Sequence, residues 1–284
     1  MNDCAICNHN STHLKFKLTF DVYQCKKCGF QFCPDASFDK SFKSDLNEEN
    51  REKALKGVRK DNFNRIISSV KKYAVISPKG LEVGCGYGWF LETCSENNIE
   101  CKGIEPETRF NNDYKKSGFE VVNGFYPEVI SENSRFDFIV FNDVIEHIPD
   151  IQSIINANYS FLNPGGLLIL NLPMRSGLVY FMSKFAYLLG VKSLLNRMWQ
   201  FNFHSPHISY FNAKNLVDFV SQGSFELIES YKLKTIKLSE ISSRIKQDNS
   251  QGLMRFIVTY TGVLVLYPFL SLFPDTRCFV FTKK

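Results

Sequence analysis

The chain has 284 residues, of which 44% are hydrophobic and 22% charged, with a net charge of +5. That length and apolar content suffice for a buried core and exclude a disordered or fibrous protein. The charge is mild and no basic run exceeds a pair such as Lys71-Lys72, which argues against nucleic acid as the partner. The N-terminus is polar and cysteine-bearing, with no charged lead into an apolar segment, so no signal peptide is expected. Nine cysteines, four of them in spaced pairs, fit a reduced cytoplasmic chain with a metal site better than a disulfide framework.

Residues 1–40 contain Cys4-x-x-Cys7 and, after 17 intervening residues, Cys25-x-x-Cys28-Gly29. Each pair can form a knuckle with both thiolates aimed at one centre, and two knuckles complete a tetrahedral shell for a structural Zn2+. The strand-like stretches Leu14–Phe20 and Phe30-Gln31-Phe32 are too short to bury a core, so metal would supply the folding energy of this zinc ribbon. Cys33 is left as a spare. Residues 41–78 are expected to hold a linker, polar from Asp35 to about Asn47, and a helix over 48–76, stopped by Ser77-Pro78-Lys79-Gly80.

Leu81-Glu82-Val83-Gly84-Cys85-Gly86-Tyr87-Gly88-Trp89 then reads as a strand, a glycine turn and a helix start. This is where a doubly wound sheet takes a cofactor against its backbone. Trp89 stands where a dinucleotide fingerprint needs its third glycine. A helix over 89–97 leads to a second strand, 100–105. It ends at Glu105, 21 positions past Gly84, a spacing suited to a carboxylate that accepts from ribose hydroxyls. A helix over 108–116 and a strand over 119–123 follow, with Asn123-Gly124-Phe125 as a candidate lip for an adenine ring.

Phe136-Asp137-Phe138-Ile139-Val140-Phe141 is the near-continuous apolar run of a buried parallel strand. It runs into Asn142-Asp143-Val144-Ile145-Glu146-His147-Ile148-Pro149-Asp150, then a helix over 151–162, Asn163-Pro164-Gly165-Gly166 and a strand over 167–172. With the glycine loop, these segments resemble the ubiquinone and menaquinone type of class I S-adenosylmethionine-dependent methyltransferase across about 81–172. The resemblance implies an α/β, doubly wound, mostly parallel seven-stranded Rossmann-like sheet over 79–284. It also implies S-adenosyl-L-methionine as cofactor, held by Glu82, Gly84, Cys85, Gly86, Gly88, Glu105, Asn123, Gly124 and Asn142. The ribbon ahead of such a domain is similar to bacterial methyltransferases of sugars and cell-surface glycans.

Two insertions are expected, at about 174–211 and 238–275. The first is rich in aromatics, is expected over the active face, and ends in Phe203-His204-Ser205-Pro206-His207-Ile208-Ser209-Tyr210-Phe211, which resembles the family's H-x-x-x-F segment. Asn212 is expected to cap a helix over 213–222, Phe225–Ile236 to be the sixth strand, and Arg277–Thr282 a seventh, antiparallel at the sheet edge. The second insertion holds the apolar run Phe256–Phe273, in which Pro268 should end or kink a helix. A helical pair is expected there, either packed as a lid or dipping into the inner face of a membrane.

Methyl transfer from a sulfonium is an in-line displacement, and a hydroxyl acceptor calls for a general base. His147, His204 and His207 all fall on cleft-side loops as candidates, each with a positioning role as the alternative. The acceptor is expected to be a small molecule, a sugar oxygen or carbon on a nucleotide- or lipid-linked precursor, and the aromatic, apolar insertions also allow a lipid-linked or quinone-like acceptor. An RNA methyltransferase gripping RNA through its ribbon, and a non-catalytic assembly partner, are the alternatives.

Overall fold

The computed structural model describes residues 3–38, 54–246 and 252–284. The linker expected up to residue 47 and the helix start expected at 48 lie largely outside them. Among the described residues seven strands form one sheet in the order β10-β11-β8-β7-β4-β5-β6. They are β4 (Lys79–Val83), β5 (Glu100–Glu105), β6 (Val121–Asn123), β7 (Phe136–Asn142), β8 (Leu162–Pro173), β10 (Phe225–Leu233) and β11 (Thr276–Lys283). The pairings β7–β4, β4–β5, β5–β6 and β7–β8 are parallel.

Period-two alternation sorts the sheet's side chains into two layers. Phe138, Val140, Leu167, Ile169, Cys278 and Val280 point to one face, with Phe63, Ile66, Ile67 and Val70 of helix α1 (Lys56–Tyr73) and Phe90 of α2 (Trp89–Glu96). Ile139, Phe141, Leu168, Leu170, Phe279 and Phe281 point to the other, against α4 (Ile151–Phe161) and α7 (Ala213–Gln222), while Tyr114 of α3 (Asn111–Ser117) packs with Leu91 of α2 beside β6. Apolar residues on both faces are what a central strand requires.

That pattern corrects the placement of the last strand. β11 is antiparallel, as expected, but it lies between β8 and β10, and β10 forms the edge. Four consecutive β11 residues, Cys278–Phe281, are fully or almost fully buried, whereas residues 226–230 of β10 are only partly covered. The more apolar strand takes the interior position.

The N-terminal ribbon is stitched into this domain. β1 (Thr12–Lys17) and β2 (Asp21–Cys25) form an antiparallel hairpin, and β3 (Gln31–Phe32) pairs with β2 on one side. On its other side β3 pairs with β9 (Ser209–Tyr210), which belongs to the first insertion. The Cys33 N–H donates to the Ile208 carbonyl at 2.9 Å. The Cys28 carbonyl accepts from the side-chain amides of Asn212 and Asn215 at 3.4 and 3.3 Å. Asn212 also caps α7 in a reciprocal box with Asn215, as its sequence position predicts. Cys4, Ile6, Cys25 and Phe30 belong to the same buried cluster as β7 and β8.

The helices of the first insertion, α5 (Leu178–Leu188) and α6 (Ser193–Met198), were expected over the active face. Their inner residues instead join Trp199 and Phe201 in a cluster with Phe16, Val22 and the spare Cys33 of the ribbon. The second insertion contains α8 (Ile241–Lys246) and α9 (Leu253–Leu272). In place of the expected helical pair, the apolar run is a single helix that continues through Pro268. Its last turn is held by Leu270, 5% exposed, and by Lys232 Nζ donating to the Leu272 carbonyl at 3.0 Å. These contacts offset the backbone bond that proline cannot donate.

Phe211 is fully buried and its ring lies 4.8 Å from that of Phe30 in the ribbon. Phe211→Ala is expected to cost about 3–5 kcal/mol. Urea unfolding followed by circular dichroism and tryptophan fluorescence should show one transition shared by ribbon and sheet. Two separated transitions would mean that the ribbon folds alone.

Candidate active site

β4 delivers the chain into Gly84, Gly86 and Gly88, all in the left-handed region with φ of 71°, 49° and 71°. Gly88 caps α2, and a Cβ on Gly84 would meet Val144 at 2.6 Å. A Cβ on Gly86 would meet nothing within 4 Å, because that residue faces an open cleft at the carboxyl ends of β4, β5 and β7. The Cys85 thiol packs behind the loop with Leu91, Phe110 and Tyr114, and burial pushes its pKa up. The Tyr114 hydroxyl donates to the Gly86 carbonyl and pins the turn.

Two buried carboxylates flank the loop. Glu105 ends β5 and accepts from the backbone N–H of Gly86 at 2.8 Å and of Glu107 at 2.9 Å. Burial raises its pKa, and the two backbone donors oppose the rise. Glu82, 2% exposed, accepts from Asn142 Nδ2 at 2.9 Å, and Asn142 Oδ1 accepts from Asn171 at 3.2 Å. Burial lifts Glu82 to about 8, with the Asn142 hydrogen bond acting against it. The Asn123 side chain turns back to donate to the Glu105 carbonyl at 3.1 Å, as does the Gly124 N–H at 3.2 Å. Phe125 stands edge-on to Phe38 from the end of the ribbon.

Residues that the pattern did not single out complete the cleft. Arg59 of α1 reaches over it to Asp143, Nη2 to Oδ2 at 3.4 Å. Asp143 holds a φ of 55° directly after β7, a conformation uncommon outside glycine and enriched at functional turns. Arg59 carried no sequence signal, since it is one charged position among several on an amphipathic helix. Asp143 and Glu146 lie inside the segment Asn142–Asp150, in which only Asn142 and His147 carry a sequence expectation.

The structure brings two of the three candidate histidines together and leaves the third apart. His147 and His207 have ring centroids 4.8 Å apart. His147 Nδ1 faces the Pro206 carbonyl at 2.8 Å and Ser205 Oγ at 3.2 Å, and His207 Nδ1 faces the Tyr210 hydroxyl at 3.0 Å. Beside them lies Glu146, 1% exposed, whose Oε1 is 3.8 Å from His207 Nε2. Among the described residues neither carboxylate oxygen of Glu146 has a hydrogen-bond partner. Ligating atoms of Glu146, His147 and His207 all lie within 4.8 Å of one another, so this triad could hold a cation or a proton. Burial drives Glu146 well above the usual carboxylate range and lowers His147 to about 4, so that imidazole is neutral at pH 7. His204 pairs with Glu107 instead, at 3.0 Å, on the side of the cleft beside Glu105. Burial alone would raise Glu107, but the His204 hydrogen bond and Arg109 hold its pKa below the ordinary value.

The four thiols Cys4, Cys7, Cys25 and Cys28 also converge, with sulfurs within 4.8 Å of one another and contacts of 3.6 Å (Cys4–Cys28) and 3.7 Å (Cys7–Cys25). Metal–sulfur bonds of about 2.3 Å in a tetrahedron give sulfur separations of roughly 3.8 Å, so the arrangement matches what a four-thiolate site needs.

Glu105→Ala should weaken binding of S-adenosylmethionine by on the order of 1.5–3 kcal/mol, through loss of a charged acceptor and of its grip on the loop. Gly86→Val should weaken it further by filling the cleft and straining a left-handed residue. Calorimetry showing unaltered affinity in both variants would remove these residues from the cofactor site.

Comparison with known proteins agrees with this geometry. A family model described as a methyltransferase domain matches residues 42–230. A ubiquinone biosynthesis O-methyltransferase of Pseudomonas entomophila is 26% identical over 140 residues, 47% of this chain and 60% of that protein. The Klebsiella pneumoniae protein of the same name is 26% identical over 37% of this chain and 46% of its own length. The match thus spans about half the length of these relatives. Among solved structures, a Thermotoga maritima S-adenosylmethionine-dependent methyltransferase superposes with a TM-score of 0.55 at 17% identity, over 84% of this chain and 95% of that one. A cyclopropane synthase of Mycobacterium tuberculosis gives 0.53 at 15% identity, over 87% and 90%. These likenesses show a common fold, and the family model covers most of the sheet. The chain belongs to the methyltransferase-domain family.

Proposed function

We propose that this methyltransferase acts on a hydroxyl of a small-molecule acceptor, and that Glu146, His147 and His207 handle the hydroxyl proton. The observation that carries the reading is the buried, unpartnered Glu146 carboxylate 3.8 Å from His207. A carboxylate left without side-chain donors in a buried site has its pKa raised by desolvation, which makes it a stronger base than an exposed carboxylate. As the acceptor oxygen attacks the sulfonium methyl, the C–O bond forms and the S–CH3 bond breaks. The acceptor proton passes to Glu146 or to His207 beside it, and S-adenosylhomocysteine leaves. His147, neutral and bonded to the Pro206 carbonyl, orients the pair.

The relatives named for ubiquinone biosynthesis are O-methyltransferases, which favours an oxygen acceptor and, of the expected classes, an apolar or lipid-linked one. A sugar hydroxyl on such a precursor is the alternative within that class. A second reading of the triad rests on its three convergent ligand atoms: a divalent cation held there would polarise the acceptor oxygen. Glu146→Gln and His207→Gln should each lower turnover at least about 100-fold while S-adenosylmethionine binding survives. Turnover would be read as methyl label entering the lipid, nucleotide-sugar or RNA fraction of a cell extract. Near-normal turnover in both variants would place proton removal elsewhere. A requirement for added magnesium or manganese would assign the triad to a cation.

We further propose that the four thiolates of the ribbon hold a structural zinc ion. A closed four-sulfur shell has no open position, so it stabilises rather than reacts. The purified protein should carry about one zinc per chain by elemental analysis, lost in Cys4→Ser or Cys25→Ser. Freshly prepared wild type without zinc would refute the site.

A further inference from the structure

Helix α9 is 20 residues long, roughly 30 Å, and its outer side is uncovered. Met254, Val258, Val265, Phe269 and Leu272 are between 56% and 76% exposed and recur at helical spacing along one stripe. Leu270 on the opposite side is buried against the domain. A helix apolar on both sides, yet packed on only one, is not a stable arrangement in water. The helix does not cross a bilayer: among the described residues no helix is long and apolar enough to do so. Three residues after α9 ends, the chain enters β11 in the interior of the sheet.

A second feature adjoins the inner side of α9. A cavity of about 260 Å³ opens between α1, the end of β10 and α9, lined by Arg65, Lys232, Lys234, Tyr267 and Ser271 among others. Arg65 and Lys232 are fixed in place: Arg65 Nη1 donates to the Lys232 carbonyl at 3.0 Å, and Lys232 Nζ stands 5.3 Å over the Phe273 ring. The carboxylate paired with Lys234 is Asp61, at 3.8 Å, and Lys237 shares it at 3.2 Å. The cluster is therefore net basic. It sits at the end of the apolar stripe, where the last α9 carbonyls would welcome positive charge.

We propose that this face docks on an anionic membrane leaflet, with α9 lying along the interface and the phosphate of a lipid headgroup in the Arg65–Lys232–Lys234 cavity. Apolar burial and cation–phosphate contact are the two contributions such binding needs together. The exposed side of α5, with Phe181, Phe185, Leu188 and Leu189, extends the apolar surface. Its register to α9 is set by Asp275, which follows α9 and accepts from the N–H groups of Val179 and Tyr180 at the start of α5. A second copy of the chain is a poorer occupant. An isologous contact through the stripe with the two helices parallel would bring the same basic rim against itself across the seam. The inference does not depend on the identity of the acceptor, because membrane docking is read without turnover.

The test is flotation of the intact protein with phosphatidylglycerol vesicles and with phosphatidylcholine vesicles at low salt. At least about tenfold more protein should float with the anionic vesicles, and the difference should shrink as salt rises. The double variant Val265→Asp/Phe269→Asp should stay in the soluble fraction, and Lys232→Glu/Lys234→Glu should lose the preference for anionic lipid. Both should keep wild-type S-adenosylmethionine binding and a folded circular-dichroism spectrum, with some loss of melting temperature allowed for the lysine variant because Lys232 holds the last turn of α9. Wild type remaining soluble with both vesicles, floating equally with both, or floating undiminished when Val265 and Phe269 are changed would overturn the proposal. Millimolar inorganic phosphate abolishing flotation would reassign the cavity to a soluble anion. A wild-type dimer made monomeric by the stripe variant, with no vesicle binding, would reassign the face to a second copy.

Discussion

The site depends on a short strand pairing far from the cofactor loop. Gln31 and Phe32 of the ribbon pair with Tyr210 and Ser209. The segment that carries His204 and His207 is thereby held between the thiol cluster and the catalytic sheet. The Cys28 carbonyl, within the second knuckle, binds both amides that cap α7. Any metal that closes the knuckles therefore fixes the position of His207 as well as the ribbon. A module of about 40 residues would be marginal by itself, and sharing its core with the larger domain removes that weakness.

On the sheet side, three buried carboxylates lie in a graded electrostatic setting. Glu105 is satisfied by two backbone N–H groups, Glu82 by one side-chain amide, and Glu146 by no side-chain donor among the described residues. Burial raises all three pKa values, and the donors set how far. The group with the most donors best retains its charge, which suits the expected role of Glu105 toward ribose hydroxyls. The group with none is the readiest to take up a proton. Environments that push like groups apart are how one cleft separates binding from acid–base work. His204, paired with Glu107, stands apart from the triad.

The insertions divide their faces in the same way. The inner side of α5 and α6 covers the ribbon, and the inner side of α9 closes the sheet edge beside β10. Their outer sides remain apolar, so the elements that stabilise the domain also give it a surface suited to something other than water. Membrane docking beside the sheet edge would bring the domain to the surface where a lipid-borne acceptor resides, which links the proposed surface to the proposed chemistry.

Local pattern determined much of this protein. The glycine turn, the apolar runs of β7 and β8, the Asn212 cap and the two Cys-x-x-Cys knuckles are each written in fewer than about ten neighbouring residues, because helix periodicity, turn chemistry and metal-ligand spacing are local constraints. Arg59 over Asp143, the meeting of Glu146 with His207, the interior position of β11 and the union of ribbon and catalytic core were decided only by the tertiary structure. Each joins segments separated by tens to hundreds of residues. Their partners are selected by which apolar faces compete for the same core, and no short window of sequence records that competition.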